Sequence, residues 1–249
     1  MSAASVALDD LWVAYDGTPA VRAVTGRFAP GSLTAIVGPN GAGKTSLVKA
    51  MLGLQHCSRG AVRLDGATRA EIGYLPQRAE IDRNFPISVL DMVQMGHWRR
   101  TGWFGRMPAA ATRQSLAAID AVGLGPQVHA PISTLSAGQL QRALFARVIV
   151  RDAGLIVLDE PFDAIDARTT AELMALVETW HRDGRTVIAV VHDLQQARTR
   201  FGDALLLARD VIAWGAAERV LTPDNLSKAR LRLEAANESW ADAGAEAGP

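Results

Sequence analysis

The sequence predicts an α/β fold built on a parallel sheet, and three segments predict it. Gly38-Pro39-Asn40-Gly41-Ala42-Gly43-Lys44-Thr45 lies between an apolar run at 33–37 and a helical pattern from Thr45 to about Leu52. Leu155-Ile156-Val157-Leu158 is apolar, rich in β-branched residues, and ends in Asp159-Glu160. Thr186-Val187-Ile188-Ala189-Val190-Val191 repeats that pattern and ends in His192-Asp193. Short apolar runs without alternation read as strands covered on both faces, the habit of parallel sheets.

From the N-terminus, residues 6–28 alternate loosely, and 61–66 read as a short strand closing in a turn. Together they predict a small antiparallel layer beside the core. The glycine-rich segment fits Gly, four residues, Gly-Lys-Thr, in the strand–loop–helix setting the motif needs. Its glycines let backbone N–H groups turn inward around phosphate oxygens. Lys44 is placed to reach β- and γ-phosphates, and the Thr45 hydroxyl to ligate Mg²⁺. Ser46 is counted with Pro39, Asn40 and Ala42 among the nucleotide contacts. Gly53 offers the helix a stop.

Residues of roughly 79 to 147 break the α/β rhythm, with helical patterns at 88–95 and 109–122. Between them, residues 96–106 crowd Trp98, Trp103 and Phe104 among three arginines and three glycines. Exposed aromatics with arginine mark interaction surfaces. A loop with its rings tucked into the helical lobe, or a lipid-headgroup contact, would use the same residues. Next comes Leu135-Ser136-Ala137-Gly138-Gln139, followed by Gln141-Arg142. Ser136 and Gln139 have capping-box spacing, and Gly138 permits close approach to the backbone. The helix start that follows is a ready anion site.

The two acidic residues after 155–158 stand at the strand end where open α/β sheets bind ligands. Asp159 is placed to hold Mg²⁺, and Glu160 to polarise a water for in-line attack on a γ-phosphate. His192, ending the next strand, can reach the same place. Apolar runs at 205–207 and 211–213 suggest late hairpin strands, and the Ala/Gly/acid-rich end from residue 233 should fray.

Composition bounds the possibilities. The 249 residues are 49% hydrophobic and 21% charged, which is globular rather than disordered. Net charge is zero, so no nucleic-acid partner is expected. One cysteine, Cys57, excludes an internal disulfide framework, and the five histidines form no spaced metal cluster. No signal peptide or bilayer-length apolar run is apparent. The expectation is a soluble cytoplasmic protein that serves a membrane through a partner.

Taken together, these motifs resemble the nucleotide-binding subunit of ATP-binding-cassette (ABC) proteins, over about residues 7–229. The resemblance implies a P-loop NTPase core with a parallel sheet, a small antiparallel β layer and an inserted helical subdomain. It implies one domain over 5–232, with the insertion at about 79–147 and a disordered tail at 233–249. It assigns Walker A to 38–45 and Walker B with the catalytic carboxylate to Asp159 and Glu160. Leu135 to Gln139 becomes the signature, with Ala137 where the commonest form has a second glycine. Tyr15, before Asp16-Gly17, becomes the residue stacked on adenine. Gln77 becomes the sensor of Mg²⁺ and attacking water, and His192 the switch near the γ-phosphate. Asp163-Ala164-Ile165-Asp166 becomes the D-loop, with Asp166 at the dimer contact. In this family two subunits meet head to tail, and each ATP lies between Walker A of one and the signature of the other.

Segments 74–78, 85–91, 95–96 and 102–104 are similar to the zinc/manganese uptake group. The implied function is an ATPase that powers divalent-metal uptake through a separate integral membrane permease, peripheral on the inner face of the cell membrane. A second copy and, indirectly, a periplasmic metal-binding protein are the implied partners. Import of an iron chelate or cobalamin, or a soluble ABC scaffold outside transport, stays open at this level.

Overall fold

The computed structural model describes residues 3–77, 82–98 and 107–245. Its main sheet has six strands in the order β5-β6-β7-β3-β8-β9. These are β3 (Leu33–Val37), β5 (Gly73–Leu75), β6 (Leu155–Asp159), β7 (Thr186–Val190), β8 (Asp203–Ala208) and β9 (Asp210–Ala216). Neighbours run parallel except the final hairpin, where β9 is antiparallel to β8. The expected late hairpin is this pair. Every residue of β3, β6 and β7 is buried, which is why their sequences show no alternation.

The period of two survives in where each side chain goes. Ala35 and Val37 enter one core with Val187, Ala189 and Leu206, while Ile36 enters the other with Ile188, Val190 and Leu205. The second core is closed by α1 (Lys44–Leu52), through Leu47 and Met51, and by a three-stranded antiparallel sheet of order β2-β1-β4. Its strands are β1 (Ser5–Tyr15), β2 (Thr18–Phe28) and β4 (Arg59–Asp65). The loose alternation over 6–28 has a physical cause. Register shifts between Leu8 and Leu11, with Asp10 and Ala23 at positive φ, interrupt the pleat.

The first core is closed by helices. The lobe between β5 and β6 holds α2 (Val89–Gln94), α3 (Ala109–Ala121) and α4 (Ala137–Arg151). Ser88 caps α2 in a reciprocal box with Asp91. Helix α4 is not confined to the lobe. It ends four residues before β6, and its Phe145 stacks on Trp180 of α5 (Ala167–Arg182) at 5.8 Å and 11°. Helix α4 thus runs to Arg151 and packs on the sheet domain as well as on the lobe. Arg78 and residues 99–106, with Trp103, Phe104 and Arg106, lie outside the described residues.

Helix α6 (Leu194–Arg200) follows β7, and α7 (Ala217–Val220) leads to α8 (Pro223–Ala245). Backbone helix continues to Ala245. No helix among the described residues is long and apolar enough to cross a membrane.

Candidate functional site

Strands β6, β7 and β3 are adjacent and parallel, so their C-terminal ends open on one edge. That edge carries the glycine-rich loop after β3, the acidic pair of β6 and the histidine after β7. Together they enclose a cavity of ≈ 730 Å³, walled by residues 40–46 with Ala20, Gln77, Glu160, Asp163 and His192.

The loop's shape depends on its glycines at two points. A Cβ on Gly38 would fall 2.1 Å from the Leu207 carbonyl oxygen. One on Gly43, whose φ is +92°, would fall 2.2 Å from that of Ala20. Lys44 is buried, and its Nζ donates to the carbonyls of Gly38 (2.9 Å) and Pro39 (3.2 Å). Burial pushes this ammonium below its ordinary 10.5, and Glu160, Asp159 and Asp163 oppose the shift. The cation is thus stored inside the loop, on carbonyls that a phosphate oxygen can replace.

Asp159 is fully buried at the end of β6. Glu160 follows in the left-handed region, φ +52°, which turns it off the strand into the cavity. Its carboxylate is gripped from two sides. Gln77 Nε2 donates to Oε2, and His192 Nε2 lies 2.7 Å from Oε1. The imidazole also stands 3.6 Å from Asp163. A carboxylate, an amide and an imidazole therefore converge opposite the phosphate loop, the arrangement that in-line attack by a water needs.

The segment at Ser136 forms as its spacing predicts. Gln139 N–H donates to Ser136 Oγ (3.2 Å), and Ser136 N–H donates to Gln139 Oε1 (2.9 Å). Asp166 caps α5, accepting from the amide (2.9 Å) and hydroxyl (2.8 Å) of Thr169. These two bonds hold its carboxyl below the ordinary value of 3.8. A Cβ on Gly138 would lie 3.7 Å from Asp166 Oδ2, so the two helix starts are side by side. None of Ser136, Gly138, Gln139 or Asp166 lines the phosphate cavity of its own chain. Tyr15 does not line it either. It stands exposed at the β1–β2 turn, on the hairpin that supplies Ala20.

For three residues near the site, sequence reasoning did not foresee the contacts that the structure shows. Asp163, counted only with the segment that follows Walker B, faces the cavity. Arg83 donates to the Leu135 carbonyl just ahead of the Ser136 cap. Gln141, buried inside α4, donates to the Pro161 carbonyl at 2.7 Å. No pattern in the chain marks Arg83, and the Gln141-Arg142 pair after Gln139 does not name its partners, because each contact joins segments twenty or more residues apart.

Comparison with known proteins agrees with this geometry. The ABC transporter family model matches residues 21–163. The zinc transport system ATP-binding protein TroB of Treponema pallidum is 39% identical over 232 residues, 92% of this chain and 87% of TroB. The manganese transport system ATP-binding protein MntB of Bacillus subtilis is 40% identical, covering 90% of this chain and 91% of MntB. Among solved structures, an ABC transporter in an inward-facing conformation superposes with a TM-score of 0.79 at 26% identity, covering 91% of this chain and 88% of that one. A dimeric ATP-binding cassette with ADP and phosphate superposes at 0.76 and 22% identity, covering 85% of this chain and 98% of its own, and shows the shared fold.

Proposed function

We propose that this chain, which belongs to the ABC transporter family, is the ATP-hydrolysing subunit of an importer for a divalent metal ion, zinc or manganese. The observation that carries the ATPase reading is the single cavity that joins the phosphate loop to Gln77, Glu160 and His192. The cargo reading is supported by TroB and MntB, which are named for zinc and manganese transport and match nearly the whole chain.

In this reading the backbone of 38–45 cradles the phosphates, and Lys44 exchanges its two carbonyl partners for β- and γ-oxygens. Pro39, Asn40, Ala42 and Ser46 complete the cradle, and Tyr15 stacks on the adenine from the β1–β2 turn. Glu160 orients and polarises the attacking water, while His192 and Gln77 hold that carboxylate in place. Mg²⁺ fits the donors available, the Thr45 hydroxyl on the cavity wall and the Asp159 carboxylate at the strand end, with Gln77 nearby. When bound, it would neutralise charge on the phosphate oxygens.

Ser136, Gly138 and Gln139 do not line their own chain's phosphate cavity, which supports their use by a second copy arranged head to tail, with Asp166 at the contact. The chain works with an integral membrane permease from its cytoplasmic side. A periplasmic metal-binding protein delivers cargo to that permease.

The test is MgATP turnover by the purified chain and metal uptake by cells carrying it with its permease. Glu160→Gln should retain nucleotide binding and lose about 10²–10⁴ in turnover. Near-normal hydrolysis by that variant would remove the assignment. Uptake of labelled iron chelate or cobalamin, with none of zinc or manganese, would overturn the cargo.

A further inference from the structure

Glu160 depends on a turn whose backbone is unusual. Its own φ is +52°, Ala164 two residues short of Asp166 has φ +53°, and the Asp163 amide donates back to the Glu160 carbonyl at 3.4 Å. A non-glycine residue in this region persists only where its surroundings over-determine it. The surroundings here are supplied by α4. Gln141 is 1% exposed and donates to the Pro161 carbonyl at 2.7 Å. One turn further, Phe145 on the same helix face packs against the Phe162 ring, centroids 6.4 Å apart. Arg142 holds the far end of the segment, donating to Thr169 Oγ1 at 3.3 Å and pairing with Glu172.

We propose that Gln141 is a positioning residue for catalysis: its amide, by holding the Pro161 carbonyl, fixes the left-handed turn that aims Glu160 at the phosphate loop. This rests on the ATPase reading above and deepens it. Pro161 follows Glu160 directly and its ring fixes φ, so a shift of the Pro161 carbonyl is passed through a stiff residue to the Glu160 Cα that bears the carboxylate. The same helix begins at the Ser136 cap, five residues from Gln141 and outside the chain's own cavity. Whatever engages that cap from a second copy therefore acts on a helix already bonded to the turn of Glu160. The signature of one chain and the catalytic carboxylate of the same chain become one rigid unit.

A purely structural glutamine would serve only to satisfy a buried carbonyl, and its loss would lower stability without selecting among catalytic constants. A positioning glutamine predicts a split. Gln141→Leu, which keeps the bulk and removes the donor, should lower kcat about 10- to 100-fold, because small misplacements of a reacting group are that costly. KM, and the Kd of a fluorescent ATP analogue, should stay within about threefold. Gln141→Glu supplies the conservative rescue. Burial against a carbonyl oxygen raises the pKa of that carboxyl, and only its protonated form can donate to Pro161. The ratio of its kcat to that of the unmodified chain should therefore rise as pH falls from about 8 to about 6.

Full-length protein, with the permease where turnover requires it, is used throughout. An unchanged kcat in Gln141→Leu overturns the proposal, and so does a pH-flat ratio for Gln141→Glu. Loss of nucleotide binding together with turnover in both variants makes Gln141 a structural residue and also overturns it. An unmodified chain that binds ATP without hydrolysing it would instead sink the ATPase reading itself.

Discussion

At the scale of single residues, chemistry was legible where spacing along the chain fixes geometry. Lys44, Thr45, Asp159, Glu160 and His192 each sit at a strand end or helix start, and the parallel sheet brings those ends to one edge. The contacts of Gln141 and Arg83 were illegible because their partners, Pro161 and Leu135, are distant in sequence. Asp166 was legible as a motif but not as a cap. Thr169 holds its carboxyl below 3.8, so the ionised cap contributes above the ordinary carboxylate pKa and is lost as pH falls through the lowered value. Asp166→Asn keeps an acceptor that does not titrate in that range. Thermal unfolding of the two proteins should therefore run in parallel at neutral pH and converge or cross only below about pH 4. A gap of constant size down to the acid limit would show that Asp166 ionisation does not contribute to the cap.

At the scale of elements, the buried strands announced themselves by composition and the helices by their caps. Ser136 makes the reciprocal box its spacing implied, and Ser88 makes another with Asp91. The antiparallel layer was harder to read, since the bulge near Asp10 shifts which residues face the core. The end of the insertion, expected at about 147, is hard to read for a related reason. Helix α4 carries one apolar face for the lobe and another for the sheet, and a periodic pattern cannot say which neighbour each face meets. Two substitutions separate these duties. Phe145→Ala removes the ring shared with Trp180 and Phe162 and should cost about 3–5 kcal/mol, read from denaturant midpoints. Ser136→Ala removes only the cap and should cost about 0.5–2 kcal/mol. Equal losses would mean that α4 is held by its cap rather than by its packing.

At the scale of the whole molecule, one chain holds two anion-ready loops that do not meet. Residues 40–46 wall the phosphate cavity, and the Ser136 helix start does not. A chain acting alone would leave the second loop without a ligand, whereas a head-to-tail pair gives each loop the partner's nucleotide. Complementation distinguishes these arrangements. Lys44→Ala removes the cation facing the phosphates, and Ser136→Arg fills the helix start with bulk and like charge. Each variant alone should form no ATP-dependent dimer and hydrolyse little ATP. In the mixed dimer, the intact phosphate loop of the Ser136→Arg chain meets the intact signature of the Lys44→Ala chain. The mixture should therefore regain one working site, seen as an ATP-dependent dimer on gel filtration and as turnover above the sum of the parts. If both loops served a single nucleotide within one chain, every chain in the mixture would carry a broken site and no ratio of the two would restore activity. Nucleotide binding by the Ser136→Arg monomer adds an independent check, because its own phosphate cavity is untouched and its affinity should be unchanged.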